Sequence, residues 1–277
     1  MAGDPLPYLA ASAVSAFISF PIWRLATIGQ AGYELHAASA AGRLLEAAKP
    51  PWRGALVVVT GMTWARTAIF FGSDEAARWL RRRGWSSSVS MALPPLLISA
   101  YVQIANQPFV RSSVMLQGDP QVRFANSERL PNVAVLRHLF RTRGAGAWWL
   151  GTGVSVSRTV PKYVVAVAAK DAMERMLPRV GSGDSEAVVA LRAAAKSVTA
   201  GAAGAVLTNP LDVLQNEMFK SEERPMACCR RLFQHEGARW LFRGCKQNVV
   251  ATAIPIGATI FLTDVFVGWR GPDAAPA

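Results

Sequence analysis

One skeleton occurs three times in this chain, and it limits the possible folds more than any other feature. An aromatic residue stands two places before a glycine, and an aspartate stands twenty places after it. The sets are Trp52, Gly54 and Asp74; Trp149, Gly151 and Asp171; and Phe242, Gly244 and Asp264. The glycines are 97 and 93 residues apart, and a proline (Pro21, Pro108, Pro210) precedes each set. Units two and three agree further. Leu139-Phe140 and Leu232-Phe233 stand twelve and eleven places before their glycines, and Gly144 and Gly237 stand seven before. A unit repeated at this period makes one architecture from stacked copies, not several unrelated domains.

The chemistry of the chain favours a membrane. Hydrophobic residues make up 51% of 277 and charged residues only 17%. A bilayer core takes about 20 mostly apolar residues per helix. Several stretches reach that length, but Pro, Gly and Ser interrupt most of them, which suits helices around a polar interior. The formal net charge is +12. The basic residues are scattered among apolar runs, as headgroup and loop charges are. Nucleic-acid binding would gather them on one face with aromatics between. Cys228, Cys229 and Cys245 make neither a disulfide framework nor a metal spacing, and His36, His138 and His235 are isolated. Nothing gathers a nucleophile, a base and an orienting group, so an enzyme is not expected. Met1 to Tyr8 lacks a basic leader pattern, so any targeting signal is expected to be internal.

Taken in order, residues 6–32 predict a helix kinked at Pro21, because proline removes a backbone hydrogen bond. Residues 33–53 are a connector with a helical run from Ala37 to Ala48. Residues 54–80 predict a second helix, closed by Arg78, Arg81, Arg82 and Arg83. Residues 89–117 and 151–178 repeat the pair around a connector over 118–150. Residues 190–218 and 244–268 repeat it again. The repeats run over approximately 6–83, 89–180 and 190–270 of one domain, 1–277.

Three units of kinked helix, connector helix and second helix resemble the mitochondrial carrier family. That family's pattern is Pro-x-acid-x-x-base, then acid-Gly, then aromatic-base-Gly. Unit three carries Pro210-Leu211-Asp212, Glu236-Gly237 and Phe242-Arg243-Gly244. The resemblance implies an all-α membrane protein with six transmembrane helices in three pseudo-threefold repeats and short matrix helices. It also implies an inner mitochondrial membrane location, with both termini towards the intermembrane space. The connectors 31–53, 118–150 and 219–243 would then lie in the matrix. Together they hold 14 basic and 7 acidic residues, in line with the positive-inside tendency.

The chain departs from the family where the family's mechanism lives. The positions of the matrix-side ring hold Trp23, Val110 and Asp212 for the acids and Ala26, Ser113 and Gln215 for the bases, so no acid–base pair survives. The glutamines that brace the ring match Gln30 and Gln117, and the third place is Phe219. On the opposite side Asp74, Asp171 and Asp264 match the acids, but Ala77, Glu174 and Val267 stand in the base positions. Arg78 and Arg175, one place further, offer a shifted pairing. The substrate-contact positions hold Gly61-Met62, Arg158-Thr159 and Ala251-Thr252. In family terms the arginine on the fourth helix suits a carboxylate, which it can hold by forked hydrogen bonds.

Two functions follow. One is a carrier-fold protein that no longer alternates and serves as a structural subunit of a larger inner-membrane complex, such as a respiratory-chain or ATP synthase assembly. The other is a solute carrier, with a small carboxylate as substrate. The missing ring favours the first, and an apolar seal around Trp23 and Val110 is expected in its place, with Asp212 satisfied locally or by water. No cofactor is expected beyond bound cardiolipin. Its family pattern matches Trp52-Arg53-Gly54 and Phe242-Arg243-Gly244, and more weakly Trp149-Leu150-Gly151, which lacks the base. Other inner-membrane subunits are the expected partners.

Overall fold

A computed structural model describes residues 6–33, 37, 39–48, 55–118, 130–177 and 185–255. Among the described residues every regular element is helical. The first unit opens with α1 (Leu6–Ala31), with Pro21 inside it, and a short α2 (Ala40–Ala48). Its second half runs through α3 (Ala55–Thr67), a π-helical turn (Ala68–Gly72) and α4 (Ser73–Arg82). The predicted helix over 54–80 is therefore there, with one wide turn that no Pro or Gly pattern announced.

The second unit opens with α5 (Ser87–Met115), capped by Ser86, whose side chain accepts from the Val89 N–H. That hydroxyl satisfies one of the helix's orphan donors. There follow α6 (Pro131–Arg143), a 3₁₀ turn (Ala145–Trp149), α7 (Thr152–Ser157) and α8 (Thr159–Met176). Pro161 explains the break between α7 and α8: it has no N–H to give to the Ser157 carbonyl. The third unit opens with α9 (Glu186–Ser221), longer at both ends than the apolar run predicts. It continues with α10 (Pro225–Glu236), a 3₁₀ turn (Gly237–Phe242) and a helical run over 245–255.

The second and third connectors share one structural pattern. α6 and α10 each begin at a proline. Each ends at a glycine with positive φ (Gly144 at 77°, Gly237 at 61°), passes through a 3₁₀ turn, and reaches a second such glycine (Gly151 at 79°, Gly244 at 66°). Only glycine takes these φ values without strain. The unit-one equivalent, Gly54, lies outside the described residues.

The three long helices α1, α5 and α9 touch one another, α1 packs on α3, α4 on α5, and α8 on α9. At Gly204 in α9 a Cβ would lie 3.6 Å from the Lys162 carbonyl oxygen, so this small residue allows the α8 backbone to come close. Among the described residues two stretches are long and apolar enough to cross a membrane, Leu9–Ala31 and Ser87–Met115. α9 carries Arg192, Lys196, Asp212 and Glu217 along its length, and the second helices are divided or run beyond the described residues.

Candidate functional site

The prolines Pro21, Pro108 and Pro210 mark the level at which the three long helices close on one another, and the closure is polar. Arg24 Nε of α1 donates to Gln117 Oε1, just past the end of α5. Gln30 Nε2 of α1 donates to Asn209 Oδ1 of α9 at 3.2 Å, and Asn216 Nδ2 donates back to Gln30 Oε1 at 2.9 Å. Gln215 Nε2 of α9 donates to Gln107 Oε1 of α5 at 3.2 Å, while Gln107 Nε2 donates to the Leu150 carbonyl at 2.7 Å. α9 is thus tied to both α1 and α5 at this level, and α1 reaches Gln117 just past α5. Arg24, Gln30, Gln107, Asn209, Gln215 and Asn216 are all buried.

Beyond this layer lie two clamps built on acids of α9. Glu217, buried, accepts from Arg243 at 2.6 Å and Arg231 at 3.1 Å. Arg243 also donates to Glu236 at 2.6 Å and twice to the Gln30 carbonyl, joining unit three to unit one. Glu222 accepts from Arg111 of α5 at 2.7 Å and from Arg143 at 2.9 Å. Arg111 is fully buried and also donates to the Ala147 carbonyl. Charge-assisted bonds of this kind are about twice as strong as neutral ones.

These contacts correct the expected apolar seal. Trp23 packs with Phe20, Ala55, Val58, Val59 and Met62, its ring 6.0 Å from that of Phe20. Val110 packs in a separate cluster with Ala31, Val114, Tyr33 and Phe219. Ala26 is buried. Ser113 accepts from Asn132 of α6 at 2.7 Å. Gln117 donates to the Ser113 carbonyl at 2.7 Å. The missed residues carried a signal. Two of the three repeat prolines are followed three places on by an arginine, at Pro21…Arg24 and Pro108…Arg111, and an amide stands immediately before Pro108 and before Pro210.

Asp212, the one acid left at the ring positions, turns towards α8. Arg158 Nη1 donates to Asp212 Oδ1, and Arg158 Nη2 to Gln103 Oε1 at 3.3 Å. Asn248 Nδ2 donates to Asp212 Oδ2 at 3.2 Å, and Ser155 Oγ to Gln103 Oε1 at 2.9 Å. The other contact positions stay apart from this group. The Gly61 carbonyl accepts from Asn106 at 3.3 Å, and Met62 packs beside Trp23. Thr159 donates to the Ser155 carbonyl at 3.4 Å and Thr252 to the Asn248 carbonyl at 2.9 Å, while Ala251 is half-buried.

On the opposite side Asp74 is exposed at the start of α4, and Arg78 pairs with Glu75 of the same helix at 2.6 Å in place of the shifted pairing with Asp74. Asp171 lies in α8, and Asp264 is outside the described residues. Of the lipid positions, Trp52, Arg53 and Gly54 are also outside. Phe242 is exposed, and Gly151 and Gly244 hold positive φ. The Arg243 guanidinium is spent on Gln30, Glu217 and Glu236. The expected lipid role of Arg243 stays an expectation, and its guanidinium is engaged within the protein.

The family profile described as mitochondrial carrier protein matches residues 188–270, which is the third unit read from the repeat. This stretch of the chain is similar to the mitochondrial carrier family. The chain is 24% identical over 197 residues to mitochondrial uncoupling protein 6 of Arabidopsis thaliana, a match covering 67% of this chain and 57% of that relative. The match thus spans little more than half the length of the relative.

Proposed function

We propose that this carrier-like chain spans the inner mitochondrial membrane six times in three pseudo-threefold repeats and serves as a structural subunit of a larger assembly, not as an exchanger. The observation that carries this reading is the closure at the proline level. Alternating access needs two states within a few kcal/mol, each held by its own contacts. Here α9 is tied to α1 and to α5 by buried amide bonds, Arg24 of α1 bonds Gln117 just past α5, and α9 adds clamps at Glu217 and Glu222. Removing one partner of a buried ion pair costs about 3–5 kcal/mol. Opening this side separates Arg111 from Glu222 and Arg243 from Gln30 together, which exceeds what a readily populated second state tolerates.

In this reading both termini face the intermembrane space, the connectors lie in the matrix, cardiolipin sits at the N-termini of the second helices, and lateral surface meets other subunits. Helix N-termini hold phosphates by free N–H groups and the helix dipole. The experiment is extraction in mild detergent together with reconstitution. The expected result is a particle much larger than 29.8 kDa and no exchange of carboxylates, nucleotides, amino acids or phosphate in liposomes. A monomer with saturable exchange abolished by Arg158→Ala would restore the second reading, a small-carboxylate carrier. The observation favouring that reading is that Arg158 already grips a carboxylate, its own Asp212.

A further inference from the structure

Four of the six residues from Arg78 to Arg83 are arginines, and no acid occurs between Ala76 and Gly118. The repeat does not account for them. Counted from the repeat aspartates, unit two has arginines four and eight places on, Arg175 and Arg179, and unit three has one at six places, Arg270. The cluster is thus a property of unit one, not of the shared architecture. Arg78 is matched to Glu75 at 2.6 Å, which leaves Arg81, Arg82 and Arg83 as surplus charge. All three are exposed, as is every residue from Gly84 to Val89. The turn is nonetheless held at both ends. Gly84, at φ 82°, donates its N–H to the Arg81 carbonyl at 3.0 Å, and the Trp85 N–H donates to the Leu80 carbonyl at 3.2 Å. Such bonds close a helix at a glycine, and Ser86 then caps α5. α4 buries Ser73, Ala77 and Leu80 and leaves Trp79 outside. Arg83 Cζ lies 4.1 Å from the centre of the Trp79 ring, within cation–π reach. Trp79 and Trp85 are 52% and 51% exposed.

We infer that the α4–α5 turn is a docking site for anionic phospholipid headgroups, in the leaflet where α4 leaves the membrane and α5 enters it. In water, three adjacent like charges repel and two half-exposed indoles stay wet. An anionic membrane interface relieves both. Tryptophan settles at headgroup level, ring towards the apolar side and N–H towards the polar one. A cluster of basic residues beside a membrane-crossing helix gains from anionic lipid. Below the turn the exposed surface of α5 turns apolar, with Val89 and Met91, then Leu97 and Tyr101. The turn therefore stands at the head of a lipid-facing surface, which favours lipid over an acidic protein segment arriving from water. The site is separate from the lipid positions expected at Trp52-Arg53-Gly54. Residues 55 to 82 are helical throughout, so the two ends lie roughly 40 Å apart at about 1.5 Å per residue. The inference goes beyond the proposed structural role and rests only on its membrane-spanning part.

The test uses the full chain with its native cysteines replaced and Ser88→Cys carrying a fluorophore, reconstituted in phosphatidylcholine vesicles. Phosphatidylglycerol or phosphatidylcholine bearing a nitroxide near the headgroup is added to both leaflets at one low mole fraction, so that orientation does not matter. Quenching should report phosphatidylglycerol enriched at the reporter by roughly fivefold or more, the factor that about 1 kcal/mol per arginine near an anionic surface corresponds to. High salt should shrink that preference. The triple variant Arg81→Gln, Arg82→Gln, Arg83→Gln should abolish it at an unchanged thermal midpoint, because these side chains are exposed. The pair Arg137→Gln with Arg141→Gln, exposed on α6, should leave it intact. Equal quenching by the two lipids, a preference that survives the triple variant, or one lost equally with the α6 pair overturns the inference. So does a polyglutamate peptide that shields the reporter from aqueous iodide in phosphatidylcholine vesicles but not in the triple variant, which would assign the patch to an acidic protein segment. A chain that carbonate strips from the vesicles refutes the membrane-spanning reading and this inference with it. A chain that stays inserted and shows no preference overturns this inference alone.

Discussion

Glu222 ends α9 in the left-handed region, at φ 58°, and its carboxylate accepts from the fully buried Arg111 of α5 at 2.7 Å. It is the one non-glycine with positive φ among the described residues. Glycine or asparagine usually takes this place after a helix. The side chain offsets the backbone cost with two ion pairs, to Arg111 and to Arg143. Glu222→Gly should therefore relax the backbone yet still destabilise the chain, because it leaves Arg111 buried without this acid, at a cost of about 3–5 kcal/mol. Glu222→Ala should cost more, adding the left-handed strain to the same loss. Apparent thermal midpoints in one detergent should rank wild type, then Gly, then Ala. A Gly variant as stable as wild type would remove the clamp from the account.

The two described repeat glycines should differ in tolerance. A Cβ on Gly244 would lie 2.8 Å from the Gln30 backbone nitrogen and 3.1 Å from the Gly29 carbonyl carbon. At Gly151 the nearest atoms are side-chain atoms, Phe219 Cε1 at 3.2 Å and Gln107 Nε2 at 3.5 Å. Both positions carry the φ penalty for a non-glycine residue, about 1–2 kcal/mol. Gly244→Ala should therefore lower the midpoint more than Gly151→Ala. The reverse order would show that α1 does not press on the start of the last helix.

Much of this was legible in the sequence, and the reasons are local. Pro and Gly punctuate the chain at a fixed period, so the hairpin units and the connector helices could be placed to within a few residues. α9 begins at Glu186, four residues before the apolar run, because Glu186-Ala187-Val188-Val189 continues the helix while carrying no long apolar stretch of its own. The proline-level closure is not legible from the family's charge positions alone, because the acid and base places hold other residues. The arginines stand two places before those base positions, at Arg24 and Arg111, and their acceptors are the Gln117 side chain, the Ala147 carbonyl and the distant Glu222. No spacing rule reveals that Arg158 meets Asp212 or that Arg111 meets Glu222, 111 residues away. Such pairs form only when helices from different units pack.

Cys228 and Cys229 are adjacent in sequence but face opposite environments on α10. Cys228 is fully buried against Leu232, Met218 and Trp240, while Cys229 is partly exposed. Burial pushes the Cys228 thiol up to about 11, despite the nearby Arg231 charge. The thiolate is the reactive form, and a raised value keeps the thiol protonated until the pH approaches 11. Maleimide at pH 7.5 should therefore modify Cys229 in the folded protein and leave Cys228 untouched until denaturant is added, as peptide mass spectrometry would read. Equal labelling of the two in the folded state would contradict the packing of α10 against α9.

The closure itself can be tested at Ser113, which occupies a base position of the family's ring. It is fully buried, and its hydroxyl accepts from Asn132. In a chain whose native cysteines are replaced by serine or alanine, Ser113→Cys changes one atom and places a reporter inside the closed layer. A carrier that alternates must expose this position to one side in part of its cycle, and added substrate should speed labelling. A static closure keeps the reporter dark, because reaching it requires separating Arg24 from Gln117 and Arg111 from Glu222 together. The expected outcome is that a small membrane-permeant maleimide leaves the position unmodified in liposomes, with or without carboxylates, nucleotides or phosphate. Labelling should appear only when the clamp is cut, as in Glu222→Ala. Labelling that rises with one added solute in the otherwise intact chain would show that the helices part, and it would identify that solute as the one to carry into exchange assays.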